Sequence, residues 1–171
     1  MAPIVNVDGS DLRRLAATST WDQSRASWSP VADSLLLTSH SDLWLVDVAG
    51  AGARLVASYA TGGRWSPDGR QIAAWGRADT SSTAAENLGL VVMNADGSGR
   101  RILTTMPGGE LTWSPDGRRI AFPAESYRSP DGFSTDIYVV EAAGGTPVNV
   151  TRHRVGQHAY FPDWKPAQSA R

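Results

Sequence analysis

Hydrophobic residues in this chain come in short bursts divided by turn formers, with few stretches suited to a helix. Leu35-Leu36-Leu37, Leu43-Trp44-Leu45-Val46, Ile72-Ala73-Ala74-Trp75, Leu90-Val91-Val92-Met93, Ile120-Ala121-Phe122 and Ile137-Tyr138-Val139-Val140 are each bounded by Gly, Pro, Asp, Asn or Ser. Apolar runs of this length between such punctuation predict strands. Those of the Leu-Val-Val-Met kind, apolar at nearly every position, predict strands covered on both faces.

The strands belong to a repeated unit. Arg64-Trp65-Ser66-Pro67-Asp68-Gly69-Arg70-Gln71-Ile72-Ala73-Ala74-Trp75 returns as Thr112-Trp113-Ser114-Pro115-Asp116-Gly117-Arg118-Arg119-Ile120-Ala121-Phe122. A weaker copy, Ser27-Trp28-Ser29-Pro30-Val31-Ala32-Asp33, precedes them, and Phe161-Pro162-Asp163-Trp164-Lys165-Pro166 starts a fourth. Trp28, Trp65, Trp113 and Trp164 are spaced by 37, 48 and 51 residues, which fits one four-stranded propeller blade per unit. The second half repeats too: Leu43 to Asp47, Leu90 to Asn94 and Ile137 to Glu141 each precede a Gly-rich turn and a short strand (Arg54-Leu55-Val56, Arg101-Ile102-Leu103, Val148-Asn149-Val150). The N-terminal stretch from Ile4 to Leu15 matches the stretch from Val91 to Leu103, so the chain opens inside a unit. The reading is one domain over 1–171: a half blade at 1–20, blades at 21–58, 59–106 and 107–153, and the first strand of a split blade at 154–171.

Each conserved-looking piece has a mechanical role. In Ser-Pro-Asp-Gly the proline presets φ, Asp68 and Asp116 bond back to nearby backbone, and Gly69 and Gly117 take positive φ. The indoles fill the wedge where neighbouring twisted sheets diverge. One blade cannot bury its two apolar faces alone, so the units stack radially. Three arrangements follow: a small four-blade ring closed by the two termini, an open arc, or a homo-oligomer that completes a larger ring.

These units resemble the TolB-like, WD40-like β-propeller repeat, whose hallmark is Trp-Ser-Pro-Asp-Gly followed by an Ile-Ala-Phe-like strand. The resemblance covers nearly the whole chain. It departs in the first unit, where Ser-Pro-Val-Ala-Asp makes a looser turn, and in the last, which lacks the turn. The tail Pro-Asp-Trp-Lys-Pro is similar to natural C-termini of that family, which places any truncation at the N-terminus. The resemblance implies an all-β propeller, a periplasmic or secreted setting and a protein-binding role in envelope complexes. Related propellers also serve as the gating domain of prolyl-oligopeptidase-like peptidases and as metal-dependent polysaccharide lyases. A truncated or engineered fragment without activity of its own is a further alternative.

Composition narrows the chemistry. Net charge is −1 over 171 residues and the basic residues are scattered, so no field draws the chain to nucleic acid. The absence of cysteine removes disulfides, thiolate catalysis and zinc ribbons. No run approaches the roughly 18 apolar residues that span a bilayer, and 1–11 lacks the basic-then-apolar pattern of a leader. A cytoplasmic location stays open on those grounds.

No nucleophile elbow, P-loop or dinucleotide fingerprint is present, so no catalytic set and no cofactor are assigned. The loops entering the innermost strands (21–25, 59–64, 106–110 and 153–160) differ while the strands repeat, as expected of a binding face on a fixed scaffold. Gln23, Arg25, Arg64, Glu110 and His158 are the polar groups expected at this channel mouth, for a protein or peptide partner. His153 and His158 lie five residues apart in a Gly-containing loop, poor spacing for a metal, and none is assigned. Asn94-Ala95-Asp96-Gly97-Ser98-Gly99 imitates a calcium loop, but Thr105 stands where Glu is needed, and Asp8-Gly9-Ser10-Asp11 repeats it as a hairpin turn. The insertions at 77–86 and 124–135 read as mobile loops, and Asn149-Val150-Thr151 as an accidental sequon within a strand.

Overall fold

The computed structural model describes residues 3–5, 8–14, 23–49, 52–81, 87–129 and 132–165. The chain is a partial β-propeller of three four-stranded antiparallel sheets, each with its strands in chain order. The first contains β3 (Gln23–Trp28), β4 (Ser34–Ser39), β5 (Asp42–Asp47) and β6 (Ala53–Ala57). The second contains β7 (Ala60–Trp65), β8 (Gln71–Arg77), β9 (Leu88–Asn94) and β10 (Arg101–Thr104). The third contains β11 (Thr112–Trp113), β12 (Arg119–Ser129), β13 (Gly132–Glu141) and β14 (Val148–Asn149). Ahead of them β1 (Pro3–Ile4) and β2 (Arg13–Arg14) form a separate two-stranded sheet.

The repeated turn is built as its residues require, with one addition. Gly69 and Gly117 both adopt φ 69°, and their N–H groups donate to Ser66 O and Ser114 O. The serine closes the loop from both sides: Ser66 Oγ donates to Asp68 at 2.7 Å and accepts from Gln71 N at 2.9 Å. Ser114 repeats this with Asp116 at 2.6 Å and Arg119 N at 2.9 Å. The serine hydroxyls, followed by the N–H groups of Arg70 and Arg118, hold the Asp68 and Asp116 carboxyls below the usual carboxylate range. In the first sheet, where Val-Ala replaces Asp-Gly, only Val31 N reaches Ser29 Oγ, at 3.3 Å.

Alternation sends successive residues to opposite neighbours. Ile72 and Ala74 pack toward the first sheet with Leu36, Leu43, Val91 and Met93. Ala73 packs toward the third with Leu90, Val92, Trp113, Ile120 and Phe122. On the far face of the first sheet Leu35, Leu37, Val46 and Val48 meet Ile4. Fully burying a side chain such as Phe122 contributes about 2–3 kcal/mol, so these two inter-sheet seams carry most of the stabilisation.

Polar clamps repeat beside the apolar seams. Arg54 donates to Ala95 O at 3.4 Å, and Arg101, one unit on, donates to Ala142 O. The turns also stack: a Cβ on Gly69 would lie 2.6 Å from Val31 Cγ2 of the preceding turn.

One expectation needs correction. Residues 124–129 and 132–135 continue the ladder of β12 and β13 from Ala124↔Asp136 to Ser129↔Gly132, rather than forming a mobile loop. Alternating polar, aromatic and β-branched residues satisfy a two-stranded ribbon there, with a bulge between Glu125 and Tyr127. Asn149 of the sequon lies in a strand as expected, at the end of β14, and is half-buried. Its amide donates to Asp136 at 2.6 Å, and its carbonyl accepts from Thr151 N and Arg152 N. The other insertion, 77–86, lies outside the described residues over 82–86.

Candidate channel-mouth site

The loops joining each fourth strand to the next first strand emerge at one end of the sheets, opposite the Ser-Pro-Asp-Gly turns. A bulge between Thr61 and Arg64 shapes the second of the innermost strands. It places Gly62 at φ 65°, with its N–H on Thr38 Oγ1 at 3.1 Å. Arg64 emerges from this kink and donates to the Glu110 carboxylate, which precedes β11. Its other terminal nitrogen lies 3.4 Å from Gly63 O and 3.5 Å from Ala26 O. The pair therefore links the innermost strands of all three sheets. With 24% and 33% of the two side chains exposed, its contribution to stability is about 1 kcal/mol or less.

Loop 105–111 is fixed by Trp75. The indole N–H donates to Gly109 O at 2.6 Å, and Gly109 N donates to Pro123 O at 3.0 Å. A Cβ on Gly108 would sit 2.5 Å from the Trp75 ring and 2.8 Å from Pro123 O, so only glycine fits between them. Two clefts share this loop. One of about 330 Å³ is lined by Trp75, Leu88 and Pro107, and one of about 280 Å³ by Pro107, Pro123, Glu125, Thr135 and Tyr160. A larger cleft, about 560 Å³, lies at the opposite end among Asp33, Asp47 and Arg54. Within its lining Asp47 Oδ1 accepts from Ala49 N, and Arg54 donates to Ala95 O of the next sheet.

The expected site residues separate into three groups. Arg64 and Glu110 come together. His158 instead lies against the third sheet, its Nδ1 3.2 Å from Thr135 Oγ1. Its ring is 4.8 Å from that of Phe133 and stacks on Tyr160 at 6.0 Å; Phe161 continues the row. Gln23 and Arg25 are on β3, but their side chains, like Trp21 and Asp22, lie outside the described residues.

The most polar buried cluster escaped sequence reasoning. Asp136 is 1% exposed and accepts from His153 N, Thr151 Oγ1 and the Asn149 amide at 2.6–2.7 Å. Burial pushes its carboxyl up, but these bonds, led by the His153 N–H, hold it well below the usual range. His153 Nδ1 lies 3.0 Å from the same carboxylate and 3.2 Å from Thr135 O. The two histidines thus engage separate atoms of the 135–136 segment. Among the described residues no three His, Cys, Asp or Glu side chains group as a metal site. Asp136, set directly before the apolar run Ile137 to Val140 within β13, was the available signal.

No protein-family model and no curated protein sequence matches the chain. Solved structures do. The Pyrococcus horikoshii acylaminoacyl peptidase superposes with a TM-score of 0.57 at 14% identity, over 81% of this chain and 26% of that one. The β-propeller domain of the trilobed protease from Pyrococcus furiosus, described as having an open velcro topology, gives 0.52 at 17% identity over 76% and 43%. A prolyl endopeptidase gives 0.50 at 14% over 74% and 22%. The likeness shows the propeller fold, and this chain spans less than half of each of those chains.

Proposed function

We propose that the chain is a non-catalytic propeller scaffold, TolB-like and acting in the periplasm or outside the cell, that binds a protein or peptide at the channel mouth. The observation that carries this reading is backbone strain at that face. Among the described residues five non-glycine residues take positive φ; of these Tyr59 lies in the loop leading into β7, the innermost strand of the second sheet, and Arg152 and Phe161 lie beyond β14. Such conformations cost about 1–3 kcal/mol each and persist where surrounding structure holds them for a purpose. Tyr59 is held by Asp42 Oδ1 on its N–H, at 3.1 Å, and by Arg77 N on its carbonyl. It stands 54% exposed, an aromatic surface at the same end as the Arg64–Glu110 pair.

Panning a phage-displayed dodecapeptide library against the protein tests this. Enriched peptides should weaken at least tenfold on Tyr59→Ala and Glu110→Ala, and be unaffected by Val148→Ala on an outer strand. No enrichment, or binding indifferent to both mouth substitutions, would sink the reading. The peptidases among the structural neighbours favour a second reading, the propeller part of a larger peptidase. Under it, this propeller would add no hydrolysis of its own and would instead govern access to a separate catalytic domain.

A further inference from the structure

The arginine clamp between successive sheets is made twice, and only one copy has a carboxylate beside it. Arg54 donates through Nη2 to Ala95 O, and Arg101 donates through Nη2 to Ala142 O, each bond spanning 41 residues. In the first copy the residue after the accepting alanine is Asp96. Its carboxylate accepts from Ser98 Oγ at 2.6 Å and from Ser98 N at 2.9 Å. Those bonds hold it below the usual carboxylate range, and the Arg54 charge adds to them. In the second copy Ala143 stands in that place, with Gly144-Gly145 after it. Arg101 makes the bond to Ala142 O and no ion pair among the described residues.

A cleft of about 490 Å³ opens beside Ala143, between the second and third sheets and at the end opposite the channel mouth. Arg101 and Gln71 line it from the second sheet, and Gly117, Arg118, Glu141 and Ala143 from the third. Arg118 is exposed, and among the described residues its guanidinium makes no hydrogen bond and no ion pair within 4.0 Å. Arg70, its counterpart one unit earlier, lies 3.9 Å from Asp68. The Asp116 carboxylate near Arg118 is already engaged by Ser114 Oγ and Arg118 N. Glu141 is engaged as well, accepting from Arg119 Nε at 2.8 Å. Gln71 bonds the turn through its backbone, so its side-chain amide stays available to a ligand.

We propose that this cleft binds an acidic segment of a partner protein, with one Asp or Glu carboxylate of that segment seated between Arg101 and Arg118. The incoming carboxylate takes the place that Asp96 holds beside Arg54 in the preceding unit. Guanidinium forks suit it, because each offers paired N–H donors at the spacing of carboxylate oxygens. The cleft volume falls in the range of ligand pockets, about 300–1,000 Å³, and exceeds what one carboxylate fills. Residues flanking the acid therefore enter too, where the Gln71 amide meets their backbone. The site lies at the opposite end of the sheets from the mouth and is independent of what the mouth binds.

Titrating the isotope-labelled full chain with the peptide acetyl-Gly-Asp-Glu-Asp-Gly-amide, followed by nuclear magnetic resonance, tests it. The amide signals of Arg118, Ala142 and Ala143 should shift and saturate. The same peptide with Asn and Gln in place of its acids should bind about tenfold more weakly. Ala143→Asp supplies the internal carboxylate that the preceding unit has, at an exposed position, and should raise the peptide Kd about tenfold. Arg118→Gln leaves the Arg101 clamp alone and should do the same, which covers the case in which Ala143→Asp disturbs the hairpin. Arg70→Gln, on the equivalent turn one unit earlier, should change Kd by less than about twofold. Saturation of the same signals by sodium phosphate with equal affinity would mark a general anion site and overturn the peptide reading. An absence of shifts, equal binding of the neutral peptide, or binding indifferent to both Ala143→Asp and Arg118→Gln would overturn it as well.

Discussion

Changing Trp113 to phenylalanine and changing Trp65 to phenylalanine are the same chemical edit at the same repeat position, yet the structure predicts unequal costs. Both remove the pyrrole half of an indole that fills a wedge between sheets. At Trp113 the edit also deletes the bond to Arg64 O, worth about 1 kcal/mol net, and leaves that carbonyl short of a partner. At Trp65 it deletes a buried N–H with no acceptor, relieving a desolvation cost of about 1–3 kcal/mol. Lost packing is common to both, so Trp113→Phe should be less stable than Trp65→Phe by about 2 kcal/mol, or roughly 4–8 °C in Tm for a chain of this size. Urea unfolding followed by near-ultraviolet circular dichroism measures the difference, provided the slope with denaturant is unchanged. Trp113 is the more deeply buried of the two, so Trp164→Phe serves as the control: this indole is half-buried but bonded. If the hydrogen bond decides, Trp164→Phe costs more than Trp65→Phe; if burial alone decides, the two coincide. A Trp65→Phe variant as unstable as Trp113→Phe would refute the reasoning.

The two turn glycines share φ 69° but not their surroundings. Gly117→Ala should cost about 1–2 kcal/mol from left-handed strain alone, because its Cβ would meet only Pro67 Cδ at 3.7 Å. Gly69→Ala adds a collision with Val31 and should lower Tm further, as differential scanning calorimetry would show; equal losses would contradict the stacking of the turns. Asp136 gives a pH dependence. Its folded carboxyl titrates below its unfolded value, so its stabilisation is complete above about pH 4 and is lost as pH falls from there toward the folded value. Asp136→Asn should flatten the decline in unfolding free energy below pH 4, and an unchanged decline would assign acid sensitivity elsewhere. Gly108→Ala should weaken the Trp75 anchor of the mouth loop, seen as faster amide exchange at Gly109 without global unfolding.

Much of the architecture was legible because it is written in local chemistry. Trp-Ser-Pro-Asp-Gly specifies a turn within its own residues, and the adjacent period-two run specifies a strand with two apolar faces. The hairpin at 94–99 was legible for the same reason. Asp96 accepts from Ser98 N at 2.9 Å, and Asp8 from Ser10 N at the same distance. The tip of the β12–β13 ribbon was harder to read, since Ser129-Pro130-Asp131-Gly132 carries the repeat signature at the opposite end of a blade, without a tryptophan before it. The same four residues mark a turn wherever they occur, and only the flanking strands tell which turn.

By itself the sequence determined the all-β propeller class, the strand order within each unit and the positions of the turns, because each rests on interactions spanning a few residues. The tertiary structure alone decided that Arg64 meets Glu110, 46 residues away, while His158 sits apart against Thr135 and Phe133. A strand bulge aims the first, and pairing of 156–159 along β13 captures the second. It also decided which indoles find an acceptor. The same residue at the same point of the repeat is bonded at Trp113, buried without a partner at Trp65 and exposed at Trp28, because the acceptor belongs to the neighbouring blade.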